Sequence, residues 1–330
     1  MDRHRASRRR ARPSGRRPLV YVAVASVVLV CGTAAGAVYV KAQADDGPDL
    51  VASSSAPSAS PSVSEEATVE PVTAPAIDRD ALLAEAMKSV TVQDGAKVSV
   101  AVLDVDSGES ASYGEGAFDT ASIVKVDILA TLLLQAQDGD RELTATQKAN
   151  ATLMIENSDN TAATALWNAI GQSDGLDTAN KSFGLTETAG GDGELWGLTQ
   201  TTAADQLTLL QQVFGDDSKL SETSRTYLQG LMSEIAVDQQ WGVSAAAGGS
   251  EWALKNGWLP RSTTGLWDIN SIGRVTVDGH DYLIAVLSKG TTTKTTGITL
   301  VEGAAKAAVS AFQDTTTDKV TAAATATATD

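Results

Sequence analysis

Between Thr120 and Gln135 the sequence permits few architectures. From Ser122 onward it reads as a helix, with Ile123, Val124, Val126, Ile128, Leu129, Leu132, Leu133 and Leu134 placing apolar groups on nearly every side. A helix apolar all round is stable only in the interior of a sizeable protein. Yet Ser122 and Lys125 stand at its start, three residues apart and so on one face. A residue at a helix N-terminus also has a backbone N–H without an intrahelical partner. A hydroxyl, an amine and a free N–H therefore meet at the mouth of a buried helix, which is the outline of a catalytic site.

Ser-x-x-Lys alone says little, because a chain of this length meets it about once by chance. The histidine count adds weight. Only His4 and His280 exist, one in a basic tail and one in the turn Asp278-Gly-His-Asp281. A Ser-His-Asp triad is excluded in practice, so a serine activated here must rely on a lysine. The same scarcity, with Cys31 as the only cysteine, leaves no metal-ligand spacing and no internal disulfide. No glycine-rich phosphate loop occurs, and no cofactor is implied.

The chain divides by composition. Residues 1–17 hold eight arginines against one acid, Asp2, and Pro18 to Val40 is 23 residues without a charge. That length suits a membrane anchor or signal segment, with the arginines on the cytoplasmic side. Ala42-Gln-Ala44 offers a small-residue site for cleavage, which would release a secreted form. Residues 41–77, rich in Ser, Ala and Pro, are expected to be a disordered linker, and the Thr/Ala stretch 315–330 a disordered tail. Beyond residue 17 the balance is 17 basic against 40 acidic residues (25 less 8, and 41 less 1), which disfavours nucleic acid as a partner. Between linker and tail, 78–314 has the size of one domain, expected outside the cell membrane and monomeric.

Within it, helical periodicity covers 80–89, 145–156, 161–170, 202–213, 221–234 and 298–312. Strand patterns cover 97–104, the region of Ala111 to Tyr113, 251–256, 269–277 and 282–288. Strands at both ends with helices between them predict an α+β fold, an antiparallel five-stranded sheet flanked by helices with an all-helical lobe.

Two further stretches complete a pattern. Ser158-Asp159-Asn160 lies between two helical segments, where it also suits a helix cap. Lys255-Asn256-Gly257 lies in the strand Trp252 to Pro260, where it also suits a turn. With Ser122-x-x-Lys125 they resemble, in order, the three motifs of serine β-lactamases and penicillin-binding proteins. The resemblance covers about residues 80–314 and looks closest to class A β-lactamase-like serine hydrolases of actinobacterial cell surfaces. It implies a β-lactamase/transpeptidase-like fold, with Ser122 as nucleophile, Lys125 as its base and Ser158 relaying a proton to the leaving nitrogen. Asn160, Lys255, Asn256, Gly257 and Trp258 would bind substrate, with Lys255 supplying charge near its carboxylate. The oxyanion hole would be the N–H groups of Ser122 and Trp258.

Three departures stand out. Asn256 replaces the usual Thr or Ser of the third motif. Ser122 and Ser158 are 36 residues apart, shorter than in class A enzymes. The loop that carries a catalytic Glu in those enzymes is short and Gly-rich here, with Glu194 the nearest candidate and Glu187 a weaker one. Trp241, Trp252, Trp258 and Trp267 gather around the third motif as packing residues or as a wall of the cleft. The resemblance implies an exported enzyme acting on β-lactams through an acyl-serine. Two alternatives stay open: a D-alanyl-D-alanine peptidase on cell-wall peptides, or a penicillin-binding sensor without turnover.

Overall fold

Lys97–Asp104, rich in valine and buried along most of its length, makes β1, which turns back into β2 (Ser110–Tyr113). The computed structural model describes residues 77–249 and 251–326, and the chain divides at Pro71/Val72, so all of these lie in its second unit. The readings of 1–17, 18–40 and 41–76 fall outside the described residues. Among the described residues no helix is long and apolar enough to cross a membrane.

Two short strands, β3 (Phe118–Asp119) and β4 (Gln200–Thr201), pair with each other. Three long strands follow late in the chain: β5 (Trp252–Pro260), β6 (Trp267–Val277) and β7 (His280–Thr291). The main sheet is antiparallel throughout, in the order β2-β1-β7-β6-β5. Its closure is non-local, with Val100 opposite Val286. The β6–β7 connection is tight because Asp278 and Gly279 both take positive φ, 53° and 85°. Such two-residue turns match the twist of a hairpin, and Asp-Gly is a favoured pair for them. β5 ends the sheet and leaves one edge free beside the motif.

Among the described residues there are also eight α-helices: α1 (Arg79–Met87), α2 (Val124–Asp138), α3 (Ala145–Glu156), α4 (Asn160–Ile170), α5 (Gln172–Phe183), α6 (Ala203–Phe214), α7 (Glu222–Ser233) and α8 (Lys294–Ala326). Asp78 caps α1 and Thr144 caps α3 with a reciprocal bond from Gln147, as their side chains favour. α8 and α1 cover one face of the sheet, and α2 to α5 with α7 form the helical lobe. α2 is its centre, with twelve of its fifteen residues buried, and so meets the expectation of a helix apolar all round.

Two elements differ from the pattern. α5 is absent from it because Gly175 interrupts a polar stretch. In the structure Gly175 is there for contact, since a Cβ would lie 1.8 Å from the Ile170 carbonyl at the end of α4. α8 starts four residues before Ile298 and runs to Ala326, into the Thr/Ala-rich stretch, where alanine favours helix.

Candidate active site

The run-up to Ser122 is pinned from both sides. Asn270 of β6 donates from its Nδ2 to the carbonyls of Asp119 (2.9 Å) and Thr120 (3.0 Å), while its Oδ1 accepts from the Ser288 N–H. The Thr120 N–H donates to Thr199 O at 2.9 Å, and β3–β4 pairing continues that clasp. Ala121 then takes φ 47°, a left-handed conformation that costs a non-glycine residue about 1–3 kcal/mol and persists only when its surroundings enforce it. Residues 121–123 form a 3₁₀ turn leading straight into α2, so Lys125 follows Ser122 by one turn. Ser122 is half-buried.

Lys125 is fully buried, and its Nζ donates to Ser158 O (2.7 Å), Ser158 Oγ (3.0 Å) and Asn160 Oδ1 (2.9 Å). Burial pulls its pKa down to about 7 against the opposing pull of the Asp159 carboxylate. Ser158-Asp159-Asn160 is at once a helix cap and a set of partners for this amine. Asp159 caps α4 through the Ala162 N–H (2.7 Å), which frees its two neighbours to face Lys125. Ser158 itself takes φ 55°, so both serines lie at or beside a strained backbone.

The third motif divides by strand alternation. Gly257 packs on the turn at Ser122, where a Cβ would stand 2.7 Å from Thr120 O and 2.9 Å from Ser122 N. Only glycine lets β5 come that close. Lys255 is fully buried, its Nζ donates to Asn256 O at 3.2 Å, and burial first, then the charge of Lys125, hold its pKa well below the ordinary lysine value. Asn256 faces away from Ser122. Its Nδ2 donates to Gln239 O (2.7 Å) and Trp241 O (2.8 Å), and it is fully buried. In an extended strand the Asn256 side chain leaves on the face opposite that of Lys255, and its amide nitrogen is engaged by these two carbonyls. Trp258 is half-buried and meets Trp241 at 6.0 Å between ring centroids.

Glu194 and Glu187 are both exposed, and neither carboxylate is hydrogen-bonded to Ser122, Lys125 or Ser158 among the described residues. The loop instead presents Trp196. Its ring centroid lies 5.0 Å from Lys125 Nζ, and its indole N–H donates to Thr164 Oγ1 at 3.1 Å. Trp167 of α4 holds the same loop by donating to Gly193 O at 2.7 Å. Trp196 and Asn270 are the site residues that motif reading did not assign roles. An asparagine between Ile269 and Ile272 in a strand was the available signal for Asn270, since strands are depleted in it.

Behind α2 lies a second acidic group. Asp127 is fully buried, and its pKa is pushed up to about 7 by burial, lowered by Asn180 of α5, and raised by Asp177 and Asp205. Asp177 and Asp205 are engaged in holding the loop backbone, through Gly190 N (2.8 Å) and Glu187 N (2.8 Å) respectively.

An antiparallel five-stranded sheet, a helical lobe and a Ser-x-x-Lys turn between them define the β-lactamase/transpeptidase-like fold. Residues 82–150 and 144–312 match the model of the Beta-lactamase enzyme family. The chain belongs to that family. No curated protein matches it. Among solved structures it is similar to PBP-A, with 22% identity, a TM-score of 0.61, and cover of 71% of this chain and 96% of that one. It is also similar to the TLA-3 extended-spectrum beta-lactamase (16%, 0.61, 69% and 96%) and to a class A beta-lactamase representative from Bacteroides cellulosilyticus (18%, 0.61, 72% and 99%). At such identities these likenesses speak for the fold.

Proposed function

We propose that this protein is a serine acyl-hydrolase that reacts with β-lactams through Ser122 and releases the acyl group slowly. The observation that carries the reading is Lys125: a buried amine with a pKa of about 7, one turn from Ser122 and 3.0 Å from Ser158 Oγ. A base poised near the working pH is what proton transfer from a serine requires. Neutral Lys125 takes the Ser122 proton as Ser122 Oγ bonds to the lactam carbonyl carbon. The ring C–N bond then breaks, and its nitrogen receives a proton through Ser158. The N–H groups of Ser122 and Trp258 stabilise the oxyanion, and Asn160 orients the acyl amide.

The second half-reaction needs a base for water. With Glu194 exposed and Trp196 standing beside Lys125, no carboxylate is in place among the described residues. Lacking one general base is worth about 10²–10⁴ in rate. This favours the penicillin-binding variant of the reading, in which the acyl-enzyme accumulates and D-alanyl-D-alanine peptides of the cell wall are the physiological substrate. One of the similar structures is a PBP-A mutant described as an acyl-enzyme complex with penicillin G. Intact mass during incubation with benzylpenicillin is the test. A persistent mass increase in the protein, lost in Ser122→Ala, is expected. Unmodified protein during rapid nitrocefin turnover would defeat slow deacylation, and undiminished labelling of Ser122→Ala would defeat the mechanism.

The arginine-rich start and the uncharged stretch 18–40 support export, with residues beyond about 42 outside the cytoplasm. Protease added to intact cells should then release the domain. Recovery of the whole chain from the cytosol would refute it.

A further inference from the structure

Two N–H donors stabilise an oxyanion only while their spacing is fixed, and here the proposed donors belong to distant parts of the chain. Ser122 stands on the turn after β3, next to the left-handed Ala121, and Trp258 stands in β5. Among the described residues no hydrogen bond runs directly between β5 and residues 118–123. Gly257 removes the obstacle to their approach without tying them. Asn270 ties the turn to β6, one strand away, and β5 is an edge strand paired on that side alone.

A direct tie exists just past each donor. Asp119 lies three residues before Ser122, and Arg261 lies three residues after Trp258. The Arg261 guanidinium, through Nη1, pairs with the Asp119 carboxylate and so bridges the two segments. Both ends of the bridge are anchored. Gln200 of β4 donates to the other Asp119 oxygen, and the Asp119 carbonyl accepts from Asn270 at 2.9 Å. The Arg261 backbone closes a turn, donating to Leu266 O at 2.8 Å and accepting from Gly265 N at 2.7 Å. Asp268, buried at the start of β6, flanks the guanidinium with its Oδ2 3.9 Å from Nε. The side chain of Arg261 is 33% exposed, and an ion pair open to solvent to that degree adds little to folding stability. What it fixes is geometry.

We propose that Arg261 is a positioning residue for acylation: by gripping Asp119 it holds β5 to the Ser122 turn and sets the spacing of the two oxyanion donors. This inference rests on the acyl-serine reading above and names the contact that aligns its site. Misplacement by about 1 Å in such a constellation costs on the order of 10²-fold in rate.

The test follows acylation of Ser122 by benzylpenicillin over a range of concentrations, which separates the binding constant from the rate constant of the acylation step. Arg261→Met is expected to lower the rate constant about 10- to 100-fold, leave binding within about twofold, and keep a thermal midpoint close to that of the unaltered protein. Asp119→Asn keeps the shape of the side chain and should give the same split, even should Arg261→Met fail to fold. The double variant should be no slower than the slower single one, because both changes break one contact. Arg261→Lys should recover part of the rate. Losses that multiply in the double variant would overturn the proposal, since the two residues would then act separately. Weaker binding with an unchanged rate constant would overturn it too, by putting Arg261 in contact with substrate. A rate that falls only in step with the folded fraction would assign the pair to folding. Should the unaltered protein not be acylated at Ser122, the acyl-serine reading itself falls; acylation that both single variants leave unchanged sinks this inference alone.

Discussion

Lys125→Ala is expected to slow acylation of Ser122 by benzylpenicillin about 10²–10⁴-fold, the range for removing a positioned general base. The pH profile makes the prediction specific. The base must be neutral to take the serine proton, and burial brings its pKa to about 7. Acylation by the unaltered protein should therefore rise with pH, bend near 7 and level off above it. In Lys125→Ala that inflection should vanish while the fold remains. An unchanged inflection in the variant would assign the titration to another group. Ser158 Oγ loses a partner 3.0 Å away in the same variant, so part of the effect belongs to proton delivery to the leaving nitrogen.

Asp127→Asn is expected to stabilise the protein above neutrality. The unfolded carboxyl titrates near 3.8 and the folded one near 7, because burial disfavours the charge and Asp177 and Asp205 oppose it further. Below about pH 4 the group is neutral in both states and costs nothing. Between about 4 and 7 the unfolded chain gives up its proton and the folded one keeps it, so stability falls as pH rises. Above about 7 the loss is complete, on the order of 4 kcal/mol, since each tenfold change in proton affinity is worth about 1.4 kcal/mol. An asparagine of the same shape has no charge to desolvate. Urea unfolding at pH 5 and pH 8 should show a steep decline between the two for the unaltered protein and a flatter one for the variant. Equal slopes in both would place the burden elsewhere.

The residues that could be read in advance are those whose neighbours in sequence are also their neighbours in space. β1 over Lys97–Asp104 and α3 over Ala145–Glu156 lie where alternation and 3.6-residue periodicity put them. The Ser122–Lys125 pair is legible for the same reason, being one turn of one helix. Asn256 is a different matter. Its position in a motif suggested the cleft, while the strand period of two sends it to the face opposite Gly257, onto carbonyls of the 239–241 segment. α5 was hidden because Gly175 answers to the end of α4, a contact between helices that no periodicity records. Trp196 approaches Lys125 from a loop far along the chain, brought there by β3–β4 pairing. Glu194 was chosen by its place in the loop, and the loop turns it outward and Trp196 inward.

The burial of α2 on every side also sets the rhythm of the molecule. Amides in a helix with no solvent face exchange only when the surrounding structure opens as a whole. Ser122 and Lys125 thus ride at one end of the slowest-opening segment, whose shape does not respond to small surface events. The loop carrying Trp196 faces them from outside and is tied by individual side-chain bonds, such as Trp196 to Thr164 and Trp167 to Gly193. The candidate site is therefore divided between a fixed anvil and an adjustable cover. On the proposed acyl-serine reading, sequence change in that loop would retune how long an acyl group stays while leaving α2 unchanged.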